Sequence, residues 1–239
     1  MSIIGINGKI GSGKDTVGSI IQYLTSECGD INNKSYRDYE TFVSRGGGSA
    51  PRQHDFHYQS NWEIKKFAGK LKEVASMLTG VRMELFEDQE FKKLNMDSEW
   101  DYQHYSEEKG SNSIHPMTYR DFLQKLGTDA MRDGLHENVW VNALMVHYNP
   151  PKLDQYAPSK WIITDMRFPN ELNAVKSKNG ITINITKSVK PIRDINKQVI
   201  HVSETALRDY IFDYYIVNDG TIEELIKKVR QILKEEGII

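Results

Sequence analysis

Close to the start of the chain, Gly8-Lys9-Ile10-Gly11-Ser12-Gly13-Lys14-Asp15-Thr16 follows an apolar run, Ile3 to Asn7. It precedes Val17, Ile20, Ile21 and Leu24, which recur at helical spacing. A Gly-x-x-x-x-Gly-Lys stretch between a strand and a helix points to one kind of chemistry. Glycines let the backbone curl until successive N–H groups converge, and the helix adds the positive end of its dipole. That is a cradle for phosphate. Lys14 is placed to meet the outer phosphates as a point charge. Gly8, Lys9, Gly11, Ser12, Gly13, Lys14, Asp15 and Thr16 are therefore the expected phosphate-binding residues. Asp15 departs from the usual pattern, in which Ser or Thr follows the lysine and holds magnesium. Two readings stay open: Asp15 orients a magnesium-bound water, or it is an acidic residue in a first helical turn where the dipole favours it.

A second group of candidates comes from Trp161-Ile162-Ile163-Thr164-Asp165, a buried strand ending in a carboxylate, with Arg167 two residues on. The carboxyl ends of parallel strands face the ligand crevice, so Asp165 and Arg167 are expected near the phosphate loop. Lys70 stands in the first turn of a helix after the strand candidate Trp62–Phe67, where a phosphate could meet it; its neighbours Lys65, Lys66 and Lys72 read as a solvated face. Arg132 is either a ligand or a helix-surface residue paired with Asp129 or Asp133. Trp140 is either a core residue or a platform for a base. His201 and Glu204 either cap a helix start at Ser203 or belong to the site.

The elements that must position these residues are legible in outline. Five strands are expected: 3–7, 62–67, 161–165, 181–185 and 212–217. They alternate with helices, which predicts a parallel sheet covered on both faces, an α/β fold. The helix after Phe67 should bury Ala68, Leu71, Val74, Ala75 and Leu78 and stop at Gly80. Thr118 with Asp121 has the form of a capping box, and Gly127-Thr128-Asp129 should break or bend the helix it opens. Val141, Leu144, Met145 and Tyr148 suggest a further helix before Pro150-Pro151. Thr221 with Glu224 caps the last helix, whose apolar face is Ile222, Leu225, Ile226, Val229, Ile232 and Leu233. Residues 29–61 and 84–116 are polar or irregular. They are expected as two insertions in a single domain spanning 1–239, with a short helix near 87–95 and one insertion closing over bound ligand.

A net charge of −2, with both signs mixed along the chain, argues against a general nucleic-acid or membrane surface. The single cysteine, Cys28, leaves no intramolecular disulfide to form and fits a reducing cytoplasm. The first strand starts at Ser2 or Ile3 with no signal pattern before it, so the expected location is cytoplasmic, and the host cytoplasm if the chain is viral.

Several blocks occur in a fixed order: Gly-Lys-Asp-Thr, Phe67-Ala68-Gly69-Lys70-Leu71-Lys72, Leu123-Gln124-Lys125-Leu126-Gly127-Thr128-Asp129, Val139-Trp140-Val141, Asp165-Met166-Arg167, His201-Val202-Ser203-Glu204 and Asn218-Asp219-Gly220. Together they resemble the bacteriophage-type deoxynucleoside monophosphate kinases. The resemblance is best over 118–235 and weakest in 29–61 and 84–116. It implies a P-loop nucleoside monophosphate kinase fold similar to adenylate kinase, with ATP and magnesium (Mg2+) as cofactors. The activity it implies is phosphoryl transfer to a deoxynucleoside monophosphate. By the same resemblance, Asn218 and Gly220 join the loop on the ATP side. Lys70, Asp129, Arg132, Trp140 and Arg167 fall on the monophosphate side. Lys14, Asp165, Arg167 and Arg132 become the catalytic candidates, and Asp15, Thr16 and Asp165 the metal candidates, directly or through water. The implied partners are small-molecule nucleotides, without nucleic acid or membrane, and a homodimer is left open. Dephospho-coenzyme A kinase is the alternative enzyme: Ile-Gly-Ser-Gly-Lys and Val-Asn-Asp-Gly-Thr are similar to that family, but Gly-Lys-Asp-Thr departs from its Gly-Lys-Ser-Thr. A nucleotide-binding module without turnover is the alternative from another class.

Overall fold

The computed structural model describes residues 2–26, 38–44, 46–47, 60–106, 111–148, 159–187 and 206–239. Its contacts divide the chain into two compact units, one made of Met1–Phe67 with His147–Ile239 and the other of Ala68–Val146. Most of the 29–61 insertion, Cys28, His201 and Glu204 lie outside the described residues.

In the first unit, β1 (Ile3–Gly8), β2 (Trp62–Lys65), β5 (Lys160–Met166), β6 (Ile181–Thr186) and β7 (Tyr214–Val217) form one sheet in the order β2-β5-β1-β6-β7. Every pairing is parallel. The five expected strands are these five, with small shifts at their ends. β1 and β5 are almost wholly buried, as strands covered on both faces must be.

One face carries α1 (Lys14–Thr25) and α7 (Ile222–Glu235), whose Val17, Ile20, Ile21, Leu24, Leu225, Val229 and Leu233 pack with Ile4, Ile6, Ile162, Ile183, Ile185 and Ile216. Gly18 lets α1 lie close to β5, because a Cβ there would stand 2.7 Å from Thr164 Cγ2. The other face carries α6 (Pro169–Lys176); a Cβ on Gly5 would touch its Val175 at 3.1 Å. Thr221 and Glu224 form the expected reciprocal cap on α7. A short helix, α2 (Tyr39–Ser44), adds Tyr39 and fully buried Phe42 against Tyr23 of α1.

At the end of α7, Tyr214 Oη donates to Glu236 Oε1 at 2.6 Å. That hydrogen bond to a carboxylate, with burial and neighbouring negative charge behind it, pushes the phenol up to about 12. The folded state therefore holds this proton more tightly than the unfolded chain. Its stabilising contribution is complete below the unfolded pKa near 10 and is lost as pH rises from ~10 toward about 12. Tyr214→Phe should flatten the pH dependence of unfolding in that window and leave it unchanged at neutral pH. Urea titrations at several alkaline pH values would measure it, and parallel curves for both proteins would refute it.

The second unit departs further from expectation. α3 (Phe67–Thr79) buries Ala75, but Leu78 is exposed while Lys72 is nearly buried against Glu87. The helix turns Lys72 inward, and the ion pair supplies the partner that a buried ammonium needs. Gly80 ends α3 as expected, its N–H donating to Ser76 O.

The described residues of 84–116 do not form an irregular loop. They contain most of the 3₁₀ turn Met83–Glu87, two further 3₁₀ turns (Phe91–Lys93 and Ser98–Trp100) and an antiparallel hairpin, β3 (Tyr102–Ser106) with β4 (Ser111–His115). No α-helix covers 87–95. Aromatic side chains of this stretch form the core of the unit. Phe86, Met96, Met117 and Phe122 are buried with Phe91, Trp100, Tyr102 and Tyr119 packed around them. Phe91 stacks on Tyr119 at 4.4 Å, and Trp100 meets Phe122 edge-on at 5.0 Å. Such pairs give a short, turn-rich segment enough apolar contact to order it.

α4 (Tyr119–Gln124) starts at the Thr118–Asp121 cap. Gly127 does not break it: the chain continues as a π-helix over Lys125–Asp133, closed by a Gly134 N–H to Asp129 O bond five residues back. α5 (Val139–Met145) follows and buries Val141 and Leu144. Tyr148 lies beyond it, in the first unit, against Trp161 and hydrogen-bonded to Ser2.

Candidate active site

The loop after β1 folds back on itself before α1 begins. Ser12 N–H donates to Lys9 O at 3.1 Å, and Gly11 and Gly13 take left-handed φ values of 74° and 102°. Gly13 has no alternative. Its φ disfavours any side chain, and a Cβ would stand 2.5 Å from Asn218 Nδ2. Gly11 has nothing within 4 Å of where a Cβ would be, so this part of the loop opens outward. Lys14 Nζ lies over the loop, donating to Gly8 O at 2.6 Å and Lys9 O at 2.9 Å. Asn218, from the turn after β7, donates to Ser12 O at 2.9 Å, which ties the expected Asn-Asp-Gly turn to the loop. Ser12 Oγ is buried and has no hydrogen-bond partner among the described residues. A buried hydroxyl without a partner beside left-handed glycines is what an anion-binding loop presents.

The carboxyl end of β5 reaches this loop by an irregular route. β1 and β5 pair Gly5 with Ile163 but Asn7 with Met166, so β5 gains one residue over this span. Asn7 Nδ2 fastens the shifted strand end by donating to Met166 O at 2.8 Å. The bulge presents Thr164 and Asp165 in succession. Thr164 Oγ1 donates to Asp15 Oδ1 at 2.7 Å, and Asp165 Oδ1 accepts the Phe67 N–H at 2.9 Å. Lys66 Nζ adds an ion pair to Asp15 Oδ1 at 3.4 Å. After the bulge, Glu171 Oε2 accepts the N–H groups of Arg167 at 2.6 Å and Phe168 at 2.9 Å, which sets the turn that carries Arg167.

The phosphate-loop residues, Asn218 and the strand end bearing Thr164, Asp165 and Arg167 are thus gathered in the first unit. Lys70, Asp129, Arg132 and Trp140 belong to the second. Lys70 Nζ pairs with Glu73 at 2.7 Å. Trp140 Nε1 donates to Gly127 O at 2.8 Å, so its indole is anchored to the π-helix that bears Asp129 and Arg132. Gly127 permits a close approach, since a Cβ would lie 2.8 Å from Leu71 Cδ2.

The family model for deoxynucleotide monophosphate kinases matches residues 51–229. The chain belongs to that family. Over 126 residues, 52% of this chain and 48% of the relative, it is 26% identical to the deoxynucleotide monophosphate kinase of Enterobacteria phage T4. Over 127 residues, again 52% and 48%, it is 27% identical to the enzyme of that name from Escherichia phage RB69. The chain spans about half the length of these curated relatives. The matched region of the kinase family begins after the phosphate loop, so the loop's assignment rests on its own sequence and geometry.

The Asp15 carboxylate and the Thr16 hydroxyl are hard oxygen groups, the type that magnesium accepts beside its waters and substrate phosphates. Sequence reading did not single out Asn7, Thr164, Lys66 or Glu171 as site residues. For Glu171 a signal existed: a glutamate at the third helical position after Phe168-Pro169 is the acidic half of a capping box. Thr164 and Lys66 had none, because their role depends on which strand ends adjoin the loop.

Proposed function

We propose that this chain transfers the γ-phosphoryl group of ATP to a deoxynucleoside monophosphate, giving the diphosphate and ADP. The supporting observation is the loop between β1 and α1: left-handed Gly11 and Gly13, the buried Ser12 hydroxyl and Lys14 lying over it. Membership of the kinase family supports the choice of acceptor.

Phosphoryl transfer asks a protein for alignment and for charge over the moving group, and for little covalent chemistry. The loop N–H groups and the α1 N-terminus hold the ATP phosphates, helped by the Asn218 and Gly220 turn. Lys14 leaves the loop carbonyls for phosphate oxygens as charge builds there. Asp15, Thr16 and Asp165 would hold magnesium bound with ATP, directly or through water, and it would supply further neutralisation of the phosphates. Asp165 shapes the crevice edge next to it. Arg167 presents a fork of donors to the acceptor phosphate or the group in transfer. Lys70, Asp129, Arg132 and Trp140 form the acceptor side, with Arg132 the second catalytic arginine. The acceptor is already an anionic phosphate, so no general base is required. The enzyme works on free nucleotides in the cytoplasm and not on nucleic acid.

An ADP-release assay across all deoxynucleoside and ribonucleoside monophosphates and dephospho-coenzyme A tests this reading. Turnover is expected with one or more deoxynucleoside monophosphates and not with dephospho-coenzyme A. ATP binding without phosphorylation of any acceptor would overturn it.

A further inference from the structure

The position after the loop lysine is acidic, and the fold answers that charge in a specific way. Asp15 lies in the first turn of α1, beside the place where a triphosphate carrying several negative charges must come. Without a metal ion bound at Asp15, an uncompensated carboxylate there repels the ligand that the loop is built to hold. Two groups converge on its Oδ1. Thr164, only 1% exposed, donates its hydroxyl from the sheet, and Lys66 approaches from just past the end of β2. β2 and β5 pair in parallel, with Lys65 opposite Ile163, so Lys66 and Thr164 leave neighbouring strand ends together. The pair is too exposed to matter for folding: the Lys66 and Asp15 side chains are 30% and 71% accessible, and exposed ion pairs contribute little. Its effect belongs to the charge of the loop.

We propose that Lys66 is a positioning residue for nucleoside triphosphate binding, neutralising Asp15 while Thr164 holds that carboxylate against the sheet. This rests on the reading of the loop as the triphosphate site, and not on the identity of the acceptor. Lys14 then works beside a carboxylate whose charge is already met, and the loop tolerates aspartate where a hydroxyl residue is usual.

The test is a double-mutant cycle on nucleotide binding, read by calorimetry with the non-hydrolysable analogue AMP-PNP and with ADP, and without any acceptor. Lys66→Met should weaken AMP-PNP binding about tenfold and ADP binding less, because the charge nearest the loop is smaller. Lys66→Arg should restore most of it. Asp15→Asn removes the charge that needs an answer, so adding Lys66→Met to it should cost less than about threefold. Thermal melting of all four proteins should agree closely. An equal loss from Lys66→Met with and without Asp15→Asn would overturn the proposal and make Lys66 a direct phosphate ligand. No loss from Lys66→Met alone would overturn it too. Normal, coupled AMP-PNP binding with no acceptor turned over would refute the kinase reading and leave this inference standing.

Discussion

Lys14→Ala should reduce turnover on the order of 10²-fold or more while the protein stays folded. That is the size of effect seen when one preorganised charge or donor is taken from a transition state. The Lys14 Nζ already lies at the Gly8 and Lys9 carbonyls. The loop keeps its shape without it through Ser12 N–H to Lys9 O, Asn218 Nδ2 to Ser12 O and Val17 N–H to Gly13 O. The core under α1 contains no part of Lys14, so the melting temperature should barely move. Steady-state kinetics with saturating acceptor, paired with a circular dichroism melt, measure both quantities. A variant with near-normal rate and a native melt would remove Lys14 from the chemistry.

The second large effect concerns the turn after β5. Glu171 is 6% exposed, and its single oxygen Oε2 accepts two backbone N–H groups, those of Arg167 and Phe168. Glu171→Ala takes that acceptor from both. At roughly 1–3 kcal/mol for a buried donor deprived of its partner, and with these two N–H groups only partly buried, the loss is about 2–5 kcal/mol. For a chain of this size that corresponds to a fall in Tm of roughly 5–15 °C. Glu171→Gln keeps one oxygen able to serve both donors, though without the charge, and should lose less than half as much.

Arg167→Lys separates the turn from its side chain. The backbone N–H still meets Glu171, so the melt should match the parent protein. Acceptor kcat/KM should fall about tenfold, since an ammonium cannot reproduce the guanidinium fork. A Tm change under about 2 °C in Glu171→Ala would mean that the turn is held by other contacts. Acceptor parameters within about twofold in Arg167→Lys, only ~0.4 kcal/mol, would mean that the arginine is structural.

Much of this molecule is a direct consequence of local sequence. Apolar runs of strand length, amphipathic α1 and α7, the Thr118–Asp121 and Thr221–Glu224 caps and the glycine-lysine loop each act over a few residues, so their physics is readable without the rest of the chain. The five parallel strands and the α/β class follow from them.

The second unit was opaque because its order comes from contacts between separated aromatics. Nothing near Phe91 or Trp100 announces that Tyr119 and Phe122 will cover them, so a turn-rich stretch read as loop. Lys72 is similar: its neighbours suggest a solvated face, and only the position of Glu87 makes burial affordable. The π-helix across Gly127 is a choice between bonds four and five residues back, decided by what packs on it, Leu71 and Trp140.

The site shows the same division. The loop's residues and their chemistry are written in nine consecutive positions, and β5 was visibly a strand ending in a carboxylate. A regular strand alternates its side chains, and that rule has no term for the extra residue between Ile163 and Met166. The bulge delivers Thr164 to Asp15 and Asp165 to the Phe67 N–H. Parallel pairing of β2 with β5 then brings Lys66, remote in sequence, to the same carboxylate. Local sequence determined a glycine-lysine loop of phosphate-binding form; strand order and one irregular pairing decided which side chains surround it.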